Sequence, residues 1–365
     1  MSSEEEEKVD ILNIIEKGIY HEELLKNLSS EEYSSILHSI SDNFDKIHKP
    51  FLHLCLQKFG DEKLCSLLVL KDNSGRMPFE LTRRKHFFCN FLAKLLNGKC
   101  MEILVTSFCT TEKIHQHVDK RLNNFLHHLT RKYYTPAICD AFLTFCQRGQ
   151  DLQHVEVALR ARNKHGDTPL HILSQRNHLP EVFSAILNQF GGKLFTIHDR
   201  WGGNVFHAVS CGNKCHKQSL LEDPLILYCE THASDPEIRS AFVVAMKHTE
   251  CGDRTPLHNY MFDKSTNLLI LMDKILSTEE IQEIFLLEDD EQRNIFNYMF
   301  YRYIDDRPSL RKKAFLREFH GICLRNSTWI REIFAQGTKM YETLLLEEKE
   351  ISSFAKLIRK IIEEK

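Results

Sequence analysis

Cysteine and histidine offer the most chemistry in this chain. Twelve cysteines and 20 histidines are spread over 365 residues, enough to suggest thiol nucleophiles, proton carriers or metal ligands. One group has the spacing of metal ligands, namely Cys211, Cys215, His216, Cys229 and His232. If four of these side chains converged, they could hold zinc in tetrahedral geometry. The sequence therefore contains one weak candidate for a metal site.

No recognisable catalytic motif accompanies these residues. The chain has neither a nucleophile elbow nor a cysteine-protease signature. The glycine pairs Gly191–Gly192 and Gly202–Gly203 lack the spacing of a dinucleotide-binding loop or a P-loop. Other cysteines fall on apolar helix faces, where a free thiol packs as a small hydrophobic group. We therefore expect no catalytic residue, no cofactor and reduced cysteines.

A short phrase recurs along the chain and places three of the histidines in one frame. It reads GDTPLH ending at His171, GGNVFH ending at His207 and DRTPLH ending at His258. The same frame continues at His53, Glu80, His127 and Asn297. Eight positions earlier every copy has an acid or amide, and one position earlier every copy has a large apolar residue. These are Asp45, Asp72, Asp119, Asn163, Asp199, Glu250 and Asp289, and Leu52, Phe79, Leu126, Leu170, Phe206, Leu257 and Phe296.

The phrase resembles the signature of ankyrin repeats, a family of stacked helical repeats. The matching residues are Thr168, Pro169, Leu170, His171, Phe206, His207, Thr255, Pro256, Leu257 and His258. The resemblance implies an all-α solenoid of irregular repeats with short β-hairpin tips. In each tip the acid or amide would shape the turn, and the Thr or Asn before the histidine would cap the following helix. The histidines would then link neighbouring turns by hydrogen bonds rather than catalyse a reaction.

The spacing of the copies sets the expected domain organisation. From Asp45 the steps are 27, 47, 44, 36, 51 and 39 residues, against ~33 in regular ankyrin repeats. We predict a helical N-terminal cap over 1–44, six to seven repeats over 45–304 with an insertion near 211–247, and a helical C-terminal cap over 305–365. Cys211 falls where ankyrin repeats place a small residue at the end of the first helix, which argues against a metal site.

Both ends of the chain show the periodicity of amphipathic helices. Apolar residues recur at helical spacing at Tyr33, Ile36, Leu37 and Ile40. The spacing of Ser29 and Glu32 predicts a capping box that begins this helix. A terminal repeat needs a polar outer face, so helical caps are what a solenoid requires.

Charge and hydropathy narrow the possible partners. A net charge of −3 with dispersed lysine and arginine does not indicate a nucleic-acid-binding protein. No apolar run approaches the ~20 residues of a membrane span, and the acidic N-terminus is unlike a secretory signal. We expect a soluble, cytoplasmic protein that is monomeric and has no transmembrane segment.

Ankyrin surfaces bind protein partners through their tips and first helices, which sets the candidate contact residues. Trp201 and Arg200 belong to the types most enriched at binding hot spots, although Trp201 could equally pack against its own hairpin. The central tip is basic and the last is acidic, which favours an electrostatically matched partner. The full set is Arg162, Lys164, His165, Gln175, Arg176, Arg200, Trp201, Glu250, Asp289 and Asp290.

Degenerate ankyrin repeats in a chain of this composition resemble the effectors that intracellular bacteria such as Legionella and Coxiella deliver by type IV secretion. Glu347, Glu348 and Glu350 stand where such effectors often carry a glutamate-rich segment. The resemblance implies a non-enzymatic protein that is secreted into a host cell and binds a host regulatory protein. Insect-virus or eukaryotic adaptors would show the same repeats. The alternative is an enzyme with a cryptic catalytic region in a terminal or inserted segment and repeats that select its substrate.

Overall fold

The described part of the chain consists of helices joined by turns and irregular connections. A computed structural model describes residues 29–42, 49–70, 78, 92, 96–110, 113–116, 118, 121–130, 136–149, 152–175, 179–211, 222–263, 267–298, 318–319, 321–323, 325 and 328. Within these ranges there is no β-strand, and the predicted all-α class is confirmed. Most of the two predicted terminal caps lies outside the described residues. The chain divides between His165 and Gly166 into two compact units.

Seven helices are described in the first unit. They are α1 (Ser30–Asp42), α2 (Lys49–Leu68), α3 (Gly98–Cys109), α4 (Lys113–Gln116), α5 (Phe125–Leu129), α6 (Pro136–Arg148) and α7 (Gln153–Arg160). Helix α2 is kinked at Gly60, whose φ of 70° and ψ of 174° are not helical. Helices α1, α2, α3 and α6 pack successively against one another, and α4 packs against α7. The helices thus lie in layers that follow chain order.

The start of α1 forms as its sequence predicts. The backbone N–H of Glu32 donates to the Ser29 hydroxyl at 3.2 Å, and the Ser29 N–H donates to the Glu32 carboxylate at 2.7 Å. This reciprocal pair satisfies two amides that helix geometry leaves without a partner. Tyr33 is buried one turn later, with its ring edge-on to Phe59 at 4.6 Å between centroids. The capping box therefore fixes where the buried face of α1 begins.

The second unit repeats a sequence of three helical elements. Its helices are α8 (Pro169–Gln175), α9 (Pro180–Phe190), α10 (Val205–Cys211), α11 (Glu222–Thr231), α12 (Pro236–Lys247), α13 (Pro256–Asp263), α14 (Asn267–Ile275) and α15 (Thr278–Leu286), with a 3₁₀ helix over Gly191–Thr196. Packing joins them in three rows: α8 to α10 to α13, α9 to α11 to α14, and the 3₁₀ helix to α12 to α15. Each repeat therefore contributes one element to each row.

The elements of the third row explain most of the excess length of these repeats over regular ankyrin repeats. The predicted insertion near 211–247 contains α11 and α12, which occupy the second and third rows like their counterparts in neighbouring repeats. The extra length of this repeat relative to the next lies in residues 212–221, outside the described residues, in the longer connection 232–235 and in the longer α12. In the first unit, α5, α6 and α7 likewise place three helices after a frame turn. A three-helix repeat needs more residues than the ~33 of a two-helix repeat.

Aromatic side chains fill the space between the rows. Phe206, one position before a frame histidine, is fully buried and meets Phe195 edge-on at 5.0 Å and Phe242 at 5.4 Å. The equivalent residues Leu52, Leu126, Leu170, Leu257 and Phe296 are also buried. The frame residue expected to make the first core contact of each repeat does so in all six described copies. Phe79 lies outside the described residues.

Each described turn that precedes a frame position needs one left-handed residue. The residue five positions before the frame histidine or its equivalent has positive φ in five successive copies: Leu122 at 60°, Gly166 at 82°, Gly202 at 85°, Asp253 at 53° and Gln292 at 57°. Side chains with a Cβ are disfavoured in this conformation by about 1–2 kcal/mol. Glycine meets the requirement in two copies, whereas the other three retain a strained residue.

Replacing the strained Gln292 with glycine is expected to stabilise the protein. The Gln292→Gly change should raise the free energy of unfolding by about 0.5–1 kcal/mol, because relief of the left-handed strain outweighs the entropy cost of glycine. Urea denaturation measures the change. The matched control Gln282→Gly, within α15, should lower the free energy by about 1 kcal/mol. Equal destabilisation by both substitutions would show that residue 292 is not strained.

Candidate binding surface and its histidine framework

The acid or amide at the start of each tip folds its side chain back onto the turn. We call residues 199–203, 250–254 and 288–293 the three tips of the second unit. In the first, Oδ1 of Asp199 accepts hydrogen bonds from the Trp201 and Gly203 amides, both at 2.9 Å. In the last, Oδ1 of Asp289 accepts from the Glu291 amide at 3.0 Å and the Arg293 amide at 2.8 Å.

The hydrogen bonds of the other predicted turn residues depend on the length of the side chain. Oδ1 of Asn163, in the first unit, accepts from the His165 amide at 2.8 Å. Glu250 is one methylene longer and instead accepts from the side-chain amide of Asn259 at 2.7 Å. Asp45, Asp72 and Asp119 lie outside the described residues. A short side chain is therefore what allows this position to close the turn.

Each frame histidine of the second unit is held by the polar residue three positions before it. The Thr168 hydroxyl lies 2.7 Å from Nδ1 of His171, and the Thr255 hydroxyl lies 2.8 Å from Nδ1 of His258. Before His207, the Asn204 amide donates to Nδ1 at 3.1 Å. Because Nε2 of each ring lies against a carbonyl oxygen, which can only accept, the imidazole proton is on Nε2 and Nδ1 is the acceptor.

The opposite ring nitrogen reaches the next repeat. Nε2 of His171 lies 2.7 Å from the Gly203 carbonyl, Nε2 of His207 lies 3.0 Å from that of Arg254, and Nε2 of His258 lies 3.1 Å from that of Arg293. Each accepting carbonyl belongs to the residue four positions before the next frame position. All three imidazoles are buried. The histidines thus form a ladder that ties successive turns together.

Burial keeps His207 and His258 neutral. Desolvation lowers the pKa of His207 to about 3, although the hydrogen bond to the Arg254 carbonyl acts in the opposite direction. Desolvation likewise lowers the pKa of His258, again against the effect of its carbonyl partner. A neutral imidazole with both nitrogens bonded has no proton or lone pair to offer a substrate. The ladder therefore organises structure and does not form a catalytic row.

The tip between residues 199 and 203 presents an aromatic and a guanidinium group to solvent. Trp201 is 45% exposed, and the Arg200 guanidinium carbon lies 4.0 Å from its ring centroid. Arg200 also crosses Gly166 so closely that a Cβ there would come within 2.3 Å of its side chain. Trp201 thus contacts its own tip through Arg200 and still leaves much of its surface open.

Three successive carbonyls of this tip, those of Trp201, Gly202 and Gly203, are anchored from neighbouring repeats. The Trp201 carbonyl accepts from the Cys251 amide at 2.7 Å, and the Gly203 carbonyl accepts from His171. The Gly202 carbonyl accepts from Nε2 of His248 at 2.8 Å. Anchoring on both sides gives Trp201 a fixed backbone position. This is the condition under which an exposed aromatic side chain binds with little loss of conformational entropy.

His248 and its neighbour His198 were not singled out by the sequence. Their rings stack at 4.0 Å between centroids with planes 14° apart. Neither residue occupies a frame position, since one lies ten and the other nine positions before the next frame histidine. His248, which bonds the Gly202 carbonyl of the Trp201 tip, is thus stacked on His198, and the repeat frame gives no signal for this pair.

The remaining predicted contacts fall into three groups. Arg162, Lys164 and His165 are exposed at the end of the first unit. Asp290 is exposed, whereas Glu250 is half-buried and engaged by Asn259. The side chain of Gln175 and all of Arg176 lie outside the described residues.

The prediction that Asp289 contacts a partner requires correction. Its carboxylate is buried, and Oδ2 accepts from Arg293 Nε at 3.0 Å and Nη2 at 2.8 Å and from the Tyr298 hydroxyl at 2.6 Å. Although burial alone would raise it, these hydrogen bonds hold the pKa of Asp289 at about 2. The residue therefore closes the last tip and is not available to a partner.

First helices contribute little to the exposed surface. The described side chains of residues 169–174, 205–209 and 256–260, in α8, α10 and α13, are all buried. The concave surface implied by the ankyrin resemblance would include this row. In the described part of the second unit, the candidate surface is instead carried by the tips.

The candidate metal ligands do not converge among the residues that can be placed. Cys215, His216 and the side chain of Cys211 lie outside the described residues. Burial raises the pKa of the Cys229 thiol, and Nδ1 of His232 lies 2.8 Å from the Tyr228 carbonyl. The described residues contain no group of three or more His, Cys, Asp or Glu that could hold a metal ion.

Comparisons with known proteins do not assign a function. No model of a known protein family matches the chain, and no curated protein matches its sequence. Among the described residues, no helix is both long and apolar enough to cross a membrane.

Replacing His207 with asparagine is expected to flatten the dependence of stability on pH. Because the folded-state pKa is about 3 and the unfolded value is about 6.5, only the unfolded chain takes up this proton as pH falls from about 6.5 towards 3. The protein should lose stability across that window. His207→Asn should lower the free energy of unfolding at pH 7 by about 1–2 kcal/mol but lose less on acidification.

Urea denaturation at pH 7, 5.5 and 4.5 measures both effects. The exposed His165→Asn variant serves as the control and should follow the unchanged protein at each pH. Asn297 occupies the equivalent frame position and exchanges hydrogen bonds with Asn294 at 2.9 and 3.2 Å, so asparagine suits the turn. An unaltered pH dependence in His207→Asn would contradict the assignment.

Proposed function

We propose that the protein is a non-enzymatic binding protein whose tips recognise a protein partner. The observation that carries the proposal is the Arg200–Trp201 pair, which is exposed on a tip whose carbonyls are anchored from neighbouring repeats. Tryptophan and arginine dominate binding hot spots because they offer large contact areas and several hydrogen-bond donors. A partner side chain that covers the open part of Trp201 would bury apolar area without ordering a loop.

We also propose that the repeats are of an ankyrin-like type. The recurring turn, the Thr or Asn cap and the histidine ladder support this assignment. The third helix of each repeat departs from the two-helix ankyrin pattern. The described tips are turns without β-strands, closed by backbone bonds such as that from the Asp199 amide to the Gly203 carbonyl at 2.9 Å. We therefore propose a variant of the ankyrin repeat in which a third row of helices is added.

The buried thiols of the described residues also favour binding over catalysis. Burial raises the pKa of Cys55, Cys65 and Cys146 to about 12. A nucleophilic cysteine needs the opposite shift, which a nearby cation or helix N-terminus would supply. No observation in the described ranges supports the alternative of an enzyme with a cryptic catalytic region.

The identity of the partner follows only from the sequence resemblance. If the chain is an effector of the type IV secretion kind, the partner is a host regulatory protein and the place of action is the host cytoplasm. One copy of the chain carries the complete Trp201 tip, so the proposal needs only a monomer.

Loss of the Arg200–Trp201 pair is expected to weaken partner binding selectively. Quantitative affinity capture from eukaryotic lysate would compare the intact chain with Arg200→Ala, Trp201→Ala. A hot-spot pair that contributes about 2 kcal/mol or more should reduce affinity at least ~30-fold. Binding of each captured partner would then be quantified with purified proteins.

The control is Leu227→Ala, which removes a 63% exposed apolar side chain from α11 in the same unit. Helical content and thermal unfolding should match in all three proteins. Partners that bind the tip variant and the intact chain equally would refute recognition through the Trp201 tip.

A further inference from the structure

The tips of the second unit carry an excess of negative charge. Residues 199–203, 250–254 and 288–293 contain seven carboxylates and three arginines. The whole chain is close to neutral, with 51 acidic and 48 basic residues apart from histidine. The excess is therefore a local property of the tips.

Several of these charges are already used inside the turns. Asp199 and Asp289 accept backbone amides. Arg293 is engaged by Asp289 and by Glu291, the latter at 2.6 Å. These pairs contribute little field outside the molecule, because opposite charges in contact cancel at a distance.

The charges that remain outward are mostly acidic. Asp253, Glu288 and Asp290 are exposed, and none of them has an ion-pair partner within the described ranges. Arg200 is exposed as well, but its guanidinium group lies over the Trp201 ring. The outward face thus has an aromatic end with Arg200 and a longer acidic end, where three exposed carboxylates outnumber the one half-buried cation, Arg254.

Contacts between the tips make this face continuous. The Cys251 amide donates to the Trp201 carbonyl at 2.7 Å, and the Asp290 amide donates to the Gly252 carbonyl at 3.1 Å. A Cβ on Gly252 would lie 3.5 Å from Oδ2 of Asp290. The Asp290 carboxylate therefore lies over the neighbouring tip, and the acidic end begins where the Trp201 tip stops.

We propose that these three tips receive a basic segment of the partner protein, with an apolar side chain against Trp201 and lysine or arginine side chains over Asp253 and Asp290. The inference rests on the proposed function and adds the chemistry of the partner. Long cationic side chains suit the face because their methylenes can pack on the aromatic end while their charges reach the carboxylates. An acidic segment would be repelled by the same carboxylates.

The test is selection of peptides by the full chain. A phage-displayed library of random 15-residue peptides is panned against the intact protein and depleted on the Asp253→Asn, Asp290→Asn variant. Asparagine tolerates the positive φ of residue 253 as aspartate does, so the variant should remain folded, and thermal unfolding verifies this. Selected peptides are synthesised and titrated calorimetrically at 50 and 300 mM NaCl.

The expected peptides carry net positive charge and at least one aromatic or large aliphatic residue. They should bind the Asp253→Asn, Asp290→Asn variant about tenfold more weakly than the intact chain, consistent with two charge contacts, and Trp201→Ala should weaken them too. Raising the salt should reduce this tenfold difference. The matched control Glu181→Gln, Glu237→Gln removes two exposed carboxylates from the first turns of α9 and α12 and should change affinity less than twofold.

Selection of neutral or acidic peptides would overturn the inference, as would failure to select any peptide that depends on Asp253 and Asp290. Equal weakening by the control variant would also overturn it. The partner captured from lysate distinguishes a failure of this inference from a failure of the proposed function. A partner that is lost by Arg200→Ala, Trp201→Ala but bound unchanged by Asp253→Asn, Asp290→Asn would leave tip recognition intact and reject the basic segment.

Discussion

The hydrogen bond from a buried imidazole to the carbonyl of the next turn is the contact on which the second unit depends. Such a bond joins His171 to Gly203, His207 to Arg254 and His258 to Arg293. Each of these carbonyls also closes its own tip by accepting the amide of Asp199, Glu250 or Asp289. The histidine bond, which contributes about 0.5–1.5 kcal/mol, therefore ties an already closed tip to the preceding repeat. The ladder also requires neutral imidazoles, and burial supplies that condition.

This requirement explains why the turns are so similar while their sequences vary. A carbonyl must point back at the preceding histidine, and the left-handed residue just before it sets that direction. Glycine, aspartate and glutamine all occupy this position, because the hydrogen bonds around the turn outweigh a local strain of about 1–2 kcal/mol. The copies therefore share the backbone conformation of the turn, whereas their sequences are only partly similar.

Sequence reasoning predicted what depends on local spacing. The helical class, the capping box at Ser29 and the buried residue before each frame position follow from periodicity and from side-chain length, and all are present. The third row did not follow, because apolar periodicity marks α12 as a helix without indicating which neighbour covers it. Asp289 was misjudged for a similar reason. A carboxylate in a polar turn suggests solvent exposure, and only the tertiary contact with Tyr298 reveals its burial.

The position of Trp201 is best understood as a consequence of the same framework. An exposed tryptophan on a mobile loop would tend to collapse onto the nearest apolar surface, since burial of an aromatic ring stabilises by several kcal/mol. Here the tip cannot move inward, because Cys251, His248 and His171 hold three successive carbonyls in place. Arg200 covers one part of the ring and leaves the rest in water. Because the framework prevents the Trp201 ring from burying itself, the free energy of burying this ring remains available when a partner binds.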